Sequence, residues 1–160
     1  VDAKAYAAWI TEQTGEEYRL PTEIEWEYSI RADSSSSFWY GEEVKSGYSV
    51  CDGCGNQWDG VSTAPVGSQI SNPFGLYDMH GNVAEWVEDC YHDNYHDAPS
   101  SNSAWLSNSC DNRVLRGGSW FDIPRVGRSS TRYRANPDLK ASNWGFRVTR
   151  VIRNPPLASQ

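Results

Sequence analysis

The stretch TAPVGSQISNPFGLYDMHGNVAEWVEDCY, residues 63–91, sets Pro65, Gly67, Asn72, Pro73, Gly75 and Gly81 ahead of the apolar Val83, Trp86 and Val87. Proline removes a backbone donor, and glycine and asparagine supply turn conformations, so strands in this region must be short. DSSSSFWYGEEVKSGYS, before it, reads as an exposed loop that docks back through Phe38, Trp39 and Tyr40. Such a chain needs large side chains to tie loops together. Eight Trp, nine Tyr and four Phe stand against one Met, with thirteen Gly and eight Pro, which favours an aromatic core over a helical bundle. At 160 residues and 38% hydrophobic content the chain is long enough for one packed domain, placed at 1–153 with a tail at 154–160. No apolar run reaches membrane-spanning length and Val1 opens no signal segment, so no membrane insertion is expected.

Regular structure is expected near the two ends. DAKAYAAWITEQTG places Tyr6, Trp9, Ile10 and Gln13 on one helical face and ends at Gly15, a C′ residue. RLPTEIEWEYSIRA carries Thr22 followed by Glu25, a capping box, with Ile24, Tyr28 and Arg31 spaced to share a face. RVLRGGSW and WGFRVTRVI have the β-branched or alternating character of closing strands in an antiparallel sheet.

Net charge is −7, yet Arg113 to Arg153 holds nine Arg and one Lys against Asp122 and Asp138, a local +8. A basic block attracts anions or nucleic acid; here the arginines alternate with small and aromatic residues, as guanidinium staples between loops would. No nucleic-acid partner is therefore expected. Cys51, Cys54, Cys90 and Cys110 form one C-x2-C pair and a second pair without that spacing, which fits disulfides better than a four-thiolate zinc site. The simplest pairing is Cys51 with Cys54 and Cys90 with Cys110, although four cysteines allow three pairings. Disulfides favour an extracellular, cell-surface or periplasmic setting; free thiols would go with the cytoplasm.

RLPTEIEWEYSIRA, TAPVGS, NPFGLYDMHGNVAEWVED, RVLRGGSW and GFRV, in that order, resemble the formylglycine-generating enzyme (sulfatase-modifying factor) domain family over nearly the whole chain. The resemblance implies an α+β, C-type lectin-like fold with two short helices, a small antiparallel sheet and much irregular loop. It also implies a further N-terminal segment of strands, absent ahead of DAKAYAAW here.

The family's oxidases bind copper through two cysteines shortly after the GGS motif. Those positions correspond to Asp122 and Gly127, and no cysteine follows Cys110, so no copper is expected: Cu(I) needs soft thiolates. The sulfoxide-synthase branch needs a histidine-rich iron site, whereas this chain has only His80, His92 and His96. His92 and His96 on one helical turn beside Asp93 and Asp97 make a minor metal candidate against a solvated acidic loop. The resemblance further implies a structural calcium ion held by the Asp78 and Glu85 side chains and the Gly81 and Val83 carbonyls, hard oxygen donors around a glycine turn. A turn held by Asp78 and Glu85 without an ion is the alternative.

With the cysteines gone, the strip from RGGSW to GFR resembles the variable region of retroelement-diversified proteins, which display changeable side chains on this lectin-like scaffold. The fixed frame matches Arg116 to Trp120, Pro124, Arg128 to Ser129, Arg132, Arg134, Pro137 to Asp138 and Gly145 to Arg147. Between them lie Phe121, Asp122, Ile123, Val126, Thr131, Tyr133, Ala135, Asn136, Leu139, Ala141, Ser142 and Asn143. None is Met, Gln, Glu, Lys or Trp, the residues that adenine mutagenesis of asparagine-type codons cannot produce. Trp120 and Trp144 close the candidate surface. Aromatic anchors among adaptable polar groups suit a binding surface; the competing reading buries Phe121 and Tyr133 as core.

Three functional classes follow. A non-catalytic binding or display domain using residues 120–144 is preferred, with a protein ligand first and a carbohydrate second. A family enzyme, or a regulatory domain of one, is the alternative. A structural subunit of an oligomeric surface assembly is the third. Burial of Phe121, Ile123, Tyr133 and Leu139 decides for or against the first.

Overall fold

The computed structural model describes residues 2–152; Arg153 and the tail at 154–160 lie outside the described residues. Helix α1, Asp2–Thr14, stops where Gly15 N–H returns to the Thr11 carbonyl at 2.9 Å. Its buried residue is Ala7; Tyr6 and Trp9, on the expected apolar face, are 43% and 53% exposed. A small side chain is what lets the helix backbone approach the domain, leaving the flanking rings outside. Helix α2, Glu23–Arg31, has the expected capping box with both halves made. Its inward face is Trp26 and Ile30, while Ile24 and Tyr28 point outward and Arg31 pairs with Glu27.

The two-residue strand β1, Tyr18–Arg19, pairs antiparallel with β6, Thr149–Arg150, bringing the described ends together. The main sheet consists of β2, Ala84–Cys90; β3, Arg113–Arg116; β4, Arg132–Ala135; and β5, Trp144–Phe146, in the order β4-β3-β2-β5. The pairings of β3 with β2 and β4 are antiparallel, but β5 runs parallel to β2, a correction to the all-antiparallel expectation. The chain leaves β4 at one edge, crosses through residues 136–143 and enters at the opposite edge in the direction of β2. Gly145 permits the approach: a Cβ there would stand 2.8 Å from Val83 Cγ2.

One sheet face receives α2. Val87 and Val114 pack with Trp26, Ile30 and Met79, each buried to 2% exposure or less. A fully buried large apolar side chain contributes about 1.5–3 kcal/mol, so this cluster anchors the domain. Ala84, Leu115 and Ala135 occupy the other face, with Trp86 and Trp144 partly covering them.

Loops are held by cross-links of two kinds. Cys51–Cys54 and Cys90–Cys110 are disulfides, the simplest pairing, so no thiolate is left for zinc. Arginine staples are the second. Fully buried Arg116 donates to Glu27 and to the carbonyls of Ser129 (2.9 Å) and Thr131 (2.6 Å). Arg132 grips Glu23 at 2.7 and 2.9 Å, reaches the His92 carbonyl and covers the Tyr91 and Tyr95 rings. Arg113 donates to the Glu88 carbonyl. These bonds satisfy carbonyls that no strand could pair.

Candidate functional site

Residues 120–144 leave β3 through Gly117 and Gly118 and are fastened by fully buried Ser119. Its hydroxyl donates to Asp122 Oδ2 at 2.6 Å and accepts from Asn143 Nδ2 at 3.0 Å, joining the two ends of the strip. Backbone bonds fix the first half from below: Trp120 N–H to the Asn82 carbonyl (2.9 Å), Gly60 N–H to the Trp120 carbonyl (3.0 Å) and Asp52 N–H to the Asp122 carbonyl (2.8 Å). A 3-10 turn, Pro124–Gly127, then lifts the chain before β4. Although Arg128, Arg134, Asp138 and Phe146 of the frame are exposed, Arg116, Ser119, Ser129 and Arg132 point into the domain.

The intervening side chains largely do not. Phe121, Ile123, Tyr133 and Leu139 are 64%, 53%, 56% and 57% exposed, the outcome a binding surface requires. Asn136, Ala141 and Ser142 are also exposed, and Asp122, Val126, Thr131 and Asn143 are half-buried. Ala135 is a correction: it is buried against Ala84 and Leu115. Strand alternation puts it on the face shared by Tyr133, deeper under the crossing loop. Trp120 and Trp144 are intermediate; Trp144 meets Trp86 edge-on at 5.5 Å, and Trp120 meets Phe121 at the same separation.

The half-buried residues line a cleft of about 260 Å³ whose floor is Ala84 and Leu115 and whose walls include Phe121, Val126, Tyr133 and Trp144. A larger depression of about 500 Å³ lies across Trp144, bounded by Leu139, Ala141, Trp86, Leu20 and Phe146. Both open on the sheet face that α2 does not cover. Sequence reasoning missed the floor, because Ala84 and Leu115 are distant in sequence, and missed two cations. Arg125 and Arg128 are exposed and no side-chain partner is found for either among the described residues, unlike the stapling arginines. Their carbonyls accept from Thr131, Arg125 from its hydroxyl at 3.2 Å and Arg128 from its N–H at 3.0 Å, which sets both backbones next to a residue that lines the cleft.

Asp122 and Gly127, the positions matched to the copper cysteines, have other duties. Asp122 closes the Ser119 turn, and the Gly127 carbonyl bonds buried His80 Nδ1 at 2.7 Å. His80 Nε2 accepts the Trp39 N–H at 3.2 Å, which puts the ring proton on Nδ1. Loss of solvent pushes its pKa down to about 4, keeping it neutral. His92 and His96 lie in a loop, not on a helical turn, and His92 stacks flat on Trp105 at 3.7 Å. No group of three His, Cys, Asp or Glu among the described residues could hold a metal ion.

The calcium set needs only two carboxylates, and its members differ. Asp78 adopts φ 56° and accepts the Gly67 N–H at Oδ2 at 2.7 Å, while its buried Oδ1 has no partner among the described residues. Glu85 accepts from Trp26 Nε1 at 2.7 Å and from Arg147 at 2.5 and 2.6 Å. Asp78 thus fits a cation donor, whereas Glu85 already has a positive partner.

The profile of the sulfatase-modifying factor enzyme 1-like domain matches residues 1–152. The structure of PvdO from Pseudomonas aeruginosa superposes with a TM-score of 0.88 at 41% identity, covering 94% of this chain and 59% of that one. Treponema denticola variable protein 1 superposes at 0.70 with 31% identity, covering 83% of this chain and 47% of its own. The formylglycine-generating enzyme of Mycobacterium tuberculosis is 32% identical over 91% of this chain and 53% of its own. The chain spans between 23% and 53% of the length of the first curated relatives it matches.

Proposed function

The chain belongs to the sulfatase-modifying factor enzyme 1-like family, and from that premise we propose that it is a non-catalytic binding domain whose ligand meets residues 120–144 on a C-type lectin-like scaffold. The observation that carries this is the outward projection of Phe121, Ile123, Tyr133 and Leu139 from a frame fastened by buried Ser119, Ser129 and Arg116. Four exposed apolar side chains along one strip, interleaved with polar ones, give the mixed contact set that protein-binding surfaces use. Likeness to a protein named for its variability supports the same reading, with the strip as the diversified segment. The partner is a protein, met outside the cytoplasm; the two disulfides fit an oxidising compartment. A structural calcium ion at Asp78, with the Gly81 and Val83 carbonyls and Glu85, accompanies this reading, supported by the unpartnered Asp78 Oδ1.

The decisive contrast is with the oxidase. All four cysteines are in disulfides, so no thiol stands near Asp122 or Gly127 to bind Cu(I). Incubation with copper and a cysteine-containing sulfatase peptide should leave the cysteine unchanged by mass spectrometry; conversion to the aldehyde overturns the proposal. Diversification has its own test: a near-identical DNA repeat with extra adenines and a reverse-transcriptase gene should neighbour the coding sequence.

A further inference from the structure

We infer that the strip receives an acidic segment of a partner protein, with one bulky apolar side chain seated in the cleft beside Phe121 and Tyr133 and neighbouring carboxylates met by Arg125 and Arg128. This rests on reading residues 120–144 as a binding surface.

Size and chemistry of the cleft select the anchor. At about 260 Å³ it falls below the roughly 300–1,000 Å³ typical of sites for whole small molecules, and suits one large side chain. Its polar groups are largely engaged with the domain itself. Asp122 Oδ2 and Asn143 Nδ2 are bound to Ser119, and the Thr131 hydroxyl donates to the Arg125 carbonyl. A sugar, which needs several free hydrogen-bonding groups around its ring, finds few here; a leucine or aromatic side chain loses nothing on entry.

Charge selects the flanks. Of the cations in the strip, Arg132 is bound to Glu23, Arg134 to Asp93 and Lys140 to Asp2. Arg125 and Arg128 are exposed and have no side-chain partner among the described residues, and each is tied through its own carbonyl to Thr131 at the edge of the cleft. Asp122, the carboxylate nearest in sequence, is turned toward Ser119. An apolar hole with two arginines joined by their backbones to one of its lining residues, and with side chains left unpaired among the described residues, complements an apolar residue among Asp or Glu.

The test is a random peptide library selected on the immobilised protein and counter-selected on a Phe121→Ala/Tyr133→Ala variant. Enrichment of Asp and Glu within a few residues of a Leu, Phe or Trp is the expected result. An enriched peptide should bind the Arg125→Glu/Arg128→Glu variant at least tenfold more weakly, and bind the native chain more weakly as salt rises. Strip-dependent peptides without acidic enrichment, or insensitive to the two charge reversals, overturn this inference and leave the binding-surface reading standing. No strip-dependent peptide at all overturns both. Concentration-dependent self-association weakened by the same charge reversals, measured by analytical ultracentrifugation, would assign the surface to a second copy of this chain and likewise overturn it.

Discussion

Arg147 closes on Glu85 as a fork, Nε to Oε2 at 2.5 Å and Nη2 to Oε1 at 2.6 Å, while the same carboxylate accepts the Trp26 indole N–H at 2.7 Å. One ion pair therefore ties Arg147, the residue that follows β5, to the centre of the sheet and to the core of α2. Arg147→Met leaves Glu85 buried, with only Trp26 as a partner. Losing one member of a buried pair costs about 3–5 kcal/mol, and denaturant unfolding should register a loss in that range. Arg147→Lys should recover only part of it, since an ammonium group cannot make the fork.

The same residue bears on calcium. With Asp78 Oδ1 free and Glu85 engaged by Arg147, an ion must share Glu85 with the guanidinium group or displace it. Millimolar calcium should raise the melting temperature over that in chelator, and Asp78→Asn should abolish the difference. Equal melting temperatures would leave the loop as a turn held by protein bonds alone.

Acid should destabilise the domain through His80. Its folded-state pKa, lowered to about 4 by burial, lies below the unfolded value of 6.5, so the native state binds fewer protons between them. Stability is fully present above the unfolded pKa, falls as pH drops below it, and the loss is complete below the folded one, on the order of 3 kcal/mol in all. Burial raises the Asp89 pKa, which acts in the opposite sense, so comparison with His80→Asn isolates the imidazole. The variant should show a flatter stability profile between pH 7 and 4 by urea unfolding.

Surface and core residues of the strip should separate cleanly. Phe121→Ala and Tyr133→Ala should each change stability by less than about 1 kcal/mol. Ala135→Leu, two residues along the same strand face, should cost about 1–3 kcal/mol by overpacking against Ala84 and Leu115. Thermal unfolding of the three variants checks the contrast.

Much of this was legible in the sequence where local chemistry acts alone. The Thr22–Glu25 capping box and the Gly15 stop need only neighbours along the chain, and each is present. Motif order carried the fold, and the family profile and superpositions agree with it. Features requiring distant partners were not legible. The parallel entry of β5 beside β2 depends on the crossing of residues 136–143, and the burial of Ala135 depends on what lies above it. Arg125 and Arg132 look alike as letters; one faces solvent and the other finds Glu23 across 109 positions of sequence. Helical spacing identified faces on α1 and α2 but not which side the domain would cover: Tyr6, Trp9, Ile24 and Tyr28 lie outward, and Ile10 is half-buried.

Binding by residues 120–144 through their exposed apolar side chains has a direct readout. Calorimetric titration of a selected peptide into the native chain and into Phe121→Ala/Ile123→Ala/Tyr133→Ala/Leu139→Ala measures it most directly. At least a hundredfold loss of affinity is expected in the quadruple variant, with its cooperative unfolding retained. Undiminished affinity in a folded quadruple variant would contradict it.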